Sequence, residues 1–274
     1  MDRSSFLGIF IAVAGILIGL TLDGGNIFQI LQPTAAMIVF GGTLGAVMLQ
    51  FPLEEVMRGA REAKKAFFYA DADLRALIDR IVGYAQKARK DGIVSLDKDL
   101  DSIPEPFLRK TLMLAVDGTQ AAELRGNMER EMSNHSEVAG RSAEIFDAAG
   151  GFSPTIGIIG AILGLIQVMQ HLNDINEVGR GIAVAFVATV YGVASANLFF
   201  LPIAGKLRVR KRQKELMHEI MLDGVIGILE GMNPRMLQTK LQGYLAEKPD
   251  PKKAAAEEQP QAAGAPASAE AART

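Results

Sequence analysis

The chain has 274 residues, 49% of them hydrophobic and 22% charged, with a formal net charge of −2. That balance leaves no basic footprint for nucleic acid, the absence of cysteine excludes disulfides and thiolate chemistry, and three scattered histidines (His135, His171, His218) argue against a histidine metal centre. Charges vanish from four blocks and crowd into the rest, the distribution of a membrane protein with a substantial aqueous part.

Block one runs from Ser5 to Leu22 after Arg3. No small-x-small cleavage site follows it, so it reads as a retained membrane helix rather than a signal peptide. Block two runs from Pro33 to Pro52, and the link Asp23–Gln32 carries one acid and no base. Block three is Phe152–His171 and block four Gly181–Ala204, with Arg180 the only base between them. Blocks three and four are each long enough for a bilayer, which takes about 20 apolar residues for a core of about 30 Å. Lys and Arg crowd after blocks two and four, where KLRVRKRQK holds six bases in nine residues. The positive-inside rule therefore places both termini and the Pro52–Gly151 segment in the cytoplasm. Gly15 and Gly19, Gly41 and Gly45, and Gly160 and Gly164 have small-xxx-small spacing, which fits either general helix packing or a specific oligomer seam.

The cytoplasmic segment reads as helical. Leu74, Ile78, Ile81, Val82 and Ala85 form one apolar stripe, capped by Asp73 and ended by Asp91-Gly92. Phe107–Val116 is a second short helix, closed by Asp117-Gly118. A long helix from Ala121 to Ala148 runs toward block three. Helix continues after block four from Lys206 to Gly231, and Asn233-Pro234 starts a last one with Leu237, Leu241 and Leu245 on one face. From Glu247 the composition turns to Ala, Pro, Glu, Gln and Lys without apolar period, a disordered tail. The expected organisation is all-α and polytopic. Residues 1–52 hold two spans and 53–151 a cytoplasmic helical domain. Residues 152–205 hold two more spans, 206–246 a cytoplasmic extension and 247–274 the tail.

None of the four blocks contains Asp, Glu, Lys or Arg. A protein that moves protons or cations by itself usually needs an intramembrane carboxylate. This chain offers only hydroxyls and amides there, including Thr155, Gln167, Thr189, Tyr191, Ser195 and Asn197. Threonines in membrane helices commonly bond back to the preceding turn, a plain alternative for Thr155 and Thr189. Pro154 fits a helix start and Pro202 a kink at the cytoplasmic end of block four. The run ARKDGIVSLDKDLD fits either a solvated surface or a docking surface for a charged partner. No nucleophile–base set and no cofactor loop is found, which argues against an enzyme and against a bound cofactor or metal.

Two adjacent spans, a helical cytoplasmic domain, two more spans and a basic continuation resemble the A subunit of the flagellar motor stator. ARKDGIVSLD resembles that family's cytoplasmic loop, FSPTIGIIGAILGLI its third span, VATVYGVASANLFFLPIA its fourth and EGMNPRMLQTKL its post-membrane motif. The resemblance implies an inner-membrane pentameric ring around two copies of a MotB-type subunit, which supplies the proton-binding Asp and a peptidoglycan-binding domain. It implies that Arg89 and Asp97 contact the rotor protein FliG, with Asp97 standing where the family often has Glu. It also implies that Pro154 and Pro202 couple ion binding to movement and that Thr189 faces the partner's Asp. Ala161 stands where sodium-driven relatives carry a second threonine, which favours protons over sodium. The nearest rival is an energiser of outer-membrane transport of the ExbB or TolQ kind, against which the adjacent first pair of spans speaks. A membrane scaffold without ion coupling is the other alternative.

Overall fold

The computed structural model describes residues 3–68 and 73–245, so the expected tail at 247–274 lies outside the described residues. Helix is the only regular structure among them. In chain order, α1 is Arg3–Leu22, α2 Pro33–Gln50, α3 Leu53–Phe68, α4 Leu74–Asp91, α5 Pro106–Val116, α6 Ala121–Gln170, α7 Ile175–Leu229 and α8 Pro234–Gln242. A 3₁₀ stretch, Ile93–Ser102, joins α4 to α5. Three helices, α2, α6 and α7, are long and apolar enough to cross a membrane, and α1 is apolar over Phe6–Leu22.

The described residues fall into two units, 3–68 with 119–222 and 73–118 with 223–245. The expected 53–151 domain is thus distributed over both, because long-range packing rather than sequence order gathers the helices.

In the first unit, α6 is one helix of 50 residues, about 75 Å at about 1.5 Å per residue. Pro154 lies inside it rather than at a helix start. Two helices contain a five-residue π-helical turn, Met37–Gly41 in α2 and Ala196–Phe200 in α7. Three buried clusters hold the unit together. Ala35 and Val39 pack on Val184, Val187 and Ala188. Val47 packs with Ile145 and Ala149, and Ala66 with Ala143 and Leu207. Below the apolar stretch, Arg141 pairs with Glu55 at 2.9 Å and Glu137 at 3.1 Å. Arg208 pairs with Asp147, and Ser136 donates to Glu215.

His218 of α7 is buried there, its ring 6.4 Å from that of His135 on α6. Burial, then Lys214 and His135, lower its pKa from the ordinary 6.5 to about 4, against the opposing pull of Glu131 and Glu215. The folded protein therefore holds a neutral imidazole where the unfolded chain binds a proton. Stability from this residue is complete above pH 6.5 and is lost as pH falls toward 4, on the order of 3 kcal/mol at the limit. His218→Leu should flatten that part of the melting temperature's pH dependence. Parallel declines of wild type and variant across the window would refute the assignment.

In the second unit, Ile78, Ile81, Val82 and Ala85 of α4 are buried as the stripe predicts, Leu77 outside the stripe is buried as well, and Leu74 is half-buried. Asp73 accepts from the Arg75 and Ala76 amides at 3.0 and 3.2 Å. Gly92 ends α4 at φ +82°, a backbone region that excludes most side chains. Asn233 caps α8 by accepting from the Arg235 amide at 3.0 Å, with Pro234 at the first helical position. Leu237 and Leu241 of α8 are fully buried.

Candidate ion-path and coupling site

α6 and α7 form an antiparallel pair whose seam is made of glycine. A Cβ placed at Gly164 would lie 2.8 Å from the Gly181 oxygen, and one at Gly160 would lie 2.8 Å from the Ala188 methyl. A Cβ at Gly157 would lie 2.9 Å from the Ala188 oxygen, and one at Gly192 2.6 Å from the Ser153 oxygen. Gly164, Gly157 and Gly192 therefore bring backbone onto backbone, and at Gly160 the Ala188 methyl fills the contact, the close approach small residues allow in lipid. α2 joins this seam through its π-helical turn. Gly160 meets Ile38, and Gly42 meets Ile156.

One level beside the seam carries a chain of hydroxyls. Ser153 and Ser195, both buried, lie 2.6 Å apart, and Ser195 reaches the Tyr191 carbonyl at 2.6 Å. With Ser195 donating to that carbonyl, Ser153 is the donor between the serines. Tyr191 in turn donates its own hydroxyl to the Ile30 carbonyl at 2.5 Å and accepts from the Gln32 amide at 3.3 Å. Its ring stacks on Phe40 at 6.0 Å. The Tyr191 hydroxyl is thus committed to the link between α1 and α2. It fastens that link to α7, which the position on the ion path implied by the sequence did not include.

Thr189 is half-buried and donates to the Ala185 carbonyl at 3.2 Å, the back-bond expected of an intramembrane threonine. Its oxygen keeps lone pairs, so it can still accept a proton-bearing group but has no proton left to give. Thr155 is exposed and bonds back to the Phe152 carbonyl at 2.8 Å. Ala161 is half-buried, one residue beyond the Gly160 contact. Pro154 is half-buried, its Cα 3.2 Å from a Cβ placed at Gly192.

Pro154 lies level with Gly192, and Pro202 lies further along α7, beyond the 196–200 π-helical turn. Pro154 lacks the N–H that the Gly150 carbonyl would otherwise receive. Gly150 itself packs against Leu201 and Phe200, with Leu201 at 2.6 Å from an added Cβ. Pro202 follows Leu201 directly and is exposed, just after the 196–200 π-helical turn. The weakened point of α6 therefore faces the weakened point of α7. The sequence marked the prolines. It carried no sign of the π-helical turns or of the Ser153–Ser195 pair.

Arg89 and Asp97 lie in the second unit and are both exposed. Arg89 lines an open cleft of about 330 Å³ with Gln86, Lys90, Asn233, Pro234 and Arg235. Asp97 stands outside that lining, on the 3₁₀ stretch where Lys87 and Asp99 pair at 2.6 Å. The cleft is cationic and suits an acidic surface, and Arg235 is a contributor that sequence reading left aside.

Residues 99–220 match the MotA/TolQ/ExbB proton channel family and residues 6–92 the Motility protein A N-terminal family. Motility protein A of Bacillus subtilis (strain 168) is 32% identical over 250 residues, covering 90% of this chain and 92% of that protein. Chemotaxis protein PomA of Vibrio alginolyticus is 32% identical over 247 residues, covering 90% of this chain and 96% of that one. The structure of C. jejuni MotAB superposes with a TM-score of 0.86 at 30% identity, covering 91% of this chain and 98% of that one.

Proposed function

The chain belongs to the MotA/TolQ/ExbB proton channel family as a flagellar motor stator subunit, and on that premise we propose how it couples an ion gradient to rotation. It is a multi-pass membrane protein of the inner membrane. The observation that carries the reading is the missing carboxylate. Blocks one to four hold no Asp, Glu, Lys or Arg, while α6 and α7 offer a glycine seam, half-buried Thr189 and a proline in each helix. The titrating group then comes from a MotB-type partner whose single helix presents an Asp to this surface. The C. jejuni relative is solved as a MotAB complex, which supports a partner subunit.

A proton arriving from outside neutralises the partner's Asp. Thr189 accepts a hydrogen bond from the protonated carboxyl, since its own proton is held by Ala185. Neutralisation removes the cost of moving that group past an apolar wall. The ring of A subunits, five by family resemblance, steps about the partner dimer, and the proton leaves on the cytoplasmic side. Each charge supplies about 2.3 kcal/mol per 100 mV of membrane potential. With four spans and both termini cytoplasmic, Arg89, Asp97 and the cationic cleft meet the rotor protein FliG.

Protons are favoured because Ala161 lacks the oxygen that a bare sodium ion wants. The similarity to PomA keeps sodium as the second reading. Dependence of swimming on external sodium, with indifference to collapse of the pH gradient, would select it.

Deletion of the gene should give flagellated, paralysed cells that wild type rescues. Arg89→Glu and Asp97→Arg should each cut swimming speed by at least about twofold while the protein still reaches the membrane, as loss of complementary charge weakens docking. Normal swimming of the deletion strain, combined with failed uptake of large outer-membrane substrates, would replace the stator reading with the ExbB-like one.

A further inference from the structure

α3 has no place in the coupling scheme, yet it is the most amphipathic feature of the chain. Its contacts fix how it lies. Val56 packs on the cluster of Val47, Ile145 and Ala149, Gly59 meets Ile145, Ser142 and Phe146, and Ala66 packs with Ala143 and Leu207. The stretch of α3 from Val56 to Ala66, about 15 Å long, thus lands on α6 between Ser142 and Ala149, a rise of about 10 Å, and then passes onto α7. A helix running alongside α6 would have reached well below residue 142. α3 instead crosses the pair as a belt.

Both ends of the belt are held where the apolar stretches begin. Its first turn follows Gln50, the last residue of α2, by two residues. Near its far end Phe67 meets Phe6, the first residue of the apolar run of α1, with ring centroids 6.3 Å apart. The axis therefore lies along the membrane boundary.

The faces of α3 sort accordingly at about 100° per residue. Val56, Gly59, Ala63 and Ala66 form the face against α6 and α7. The next flank carries Leu53, Met57 and Ala60, and Leu53 and Met57 are 56% and 58% exposed. These apolar side chains border a row of cations, the arrangement of a helix that lies at a membrane interface. Lys64 lies on the same flank, and its stem can run along apolar surface with the ammonium at the polar level. Arg61 and Arg58 follow around the helix, both exposed. The acids are accounted for mostly within the protein: Glu55 pairs with Arg141, Glu62 with Lys65 at 2.9 Å, and Glu54 sits in the first turn where the helix dipole favours it.

We propose that α3 is a binding site for anionic phospholipids of the cytoplasmic leaflet. Leu53, Met57 and Ala60 lie at the acyl boundary, and Arg58, Arg61 and Lys64 hold headgroup phosphates. Because α3 girdles α6 and α7 just below Pro154, bound headgroups fix the depth of the hairpin in the bilayer. The proposal rests on the cytoplasmic placement of residues 53–68 given above.

The chain has no cysteine, so single-cysteine variants of the full protein report directly. Met57→Cys and Glu62→Cys would carry a fluorophore in vesicles of phosphatidylcholine and phosphatidylglycerol containing acyl-chain nitroxide lipids. The label at position 57 should be quenched and that at 62 should not. In native nanodiscs, the triple variant Arg58→Gln, Arg61→Gln, Lys64→Gln should lose enrichment of phosphatidylglycerol, about fivefold for each contact removed. Equal quenching at both positions, or undiminished enrichment around a folded triple variant, would overturn the site. Labelling of Glu62→Cys by an impermeant thiol reagent applied outside intact cells would instead overturn the orientation beneath it.

Discussion

Gly192→Val is expected to abolish the paired packing of α6 and α7, and with it both membrane accumulation and swimming. The three atoms nearest an added Cβ are all backbone: the Ser153 oxygen at 2.6 Å, the Gly157 Cα at 3.1 Å and the Pro154 Cα at 3.2 Å. No side chain can rotate to relieve them, so the helices must separate. Separation at Gly192 also opens the contacts at Gly157 and Gly160 and breaks the buried bond between Ser153 and Ser195. Over-packing commonly costs about 1 to 3 kcal/mol, and a clash with immobile backbone belongs at or beyond the upper end. Total stabilities near 5 to 15 kcal/mol leave limited room for that. Gly205 is the internal control. It lies in the same helix with nothing within 4 Å of an added Cβ, so Gly205→Ala should accumulate like wild type. Size-exclusion profiles and melting temperatures of the solubilised chains decide the matter. A Gly192→Val protein that melts and swims like wild type would remove the seam from this account.

The four apolar blocks, the caps at Asp73 and Asn233, the stops at Gly92 and Gly118, and the buried leucines of α8 were legible because each is a local signal. Periodicity, a capping side chain or a glycine with positive φ announces itself within a few residues. Gly160 and Gly164 were visible as a small-xxx-small pair. What they touch was not, since Gly181 and Ala188 lie on a separate block and no rule of spacing pairs them.

The same limit hid the Ser153–Ser195 pair, whose members stand 42 residues apart, and the reach of Tyr191 to Ile30 across 161. Tyr191 shows the consequence. As a hydroxyl in an uncharged block it looked available to an ion, and its partner in the α1–α2 link takes that hydroxyl up. α3 was hidden differently. Its charges were read as a topology signal, whereas its exposed Leu53 and Met57 acquire meaning only once Phe67 is seen against Phe6. The division of residues 53–151 between two units was likewise invisible, because the helical segments look alike and only tertiary packing sorts them.

Pro154→Leu should give a protein that folds at least as well as wild type and barely turns the motor. Proline in a helix interior removes one backbone hydrogen bond and sets its ring against the carbonyl four residues back, a cost of about 3 kcal/mol. α6 carries that cost within 50 helical residues, where Pro154 lies against Gly192 and Gly150 lies against Phe200 and Leu201 at the end of the π-helical turn of α7. Leucine returns the N–H to the Gly150 carbonyl and stiffens the helix where it faces Leu201. If that point is the hinge at which the α6–α7 pair answers a change of charge on the partner, stiffening raises the barrier to the step. A rise of about 1.4 kcal/mol slows it tenfold. The expected pattern is therefore a melting temperature equal to or above wild type, normal assembly with the partner subunit, and torque lower by about tenfold or more. Pro154→Ala separates this from a steric effect of leucine near Gly192, because alanine restores the same N–H with almost no added volume. An alanine variant that swims at wild-type speed would mean that the proline is merely tolerated. One that is stable and paralysed would place the hinge at the Gly150 carbonyl.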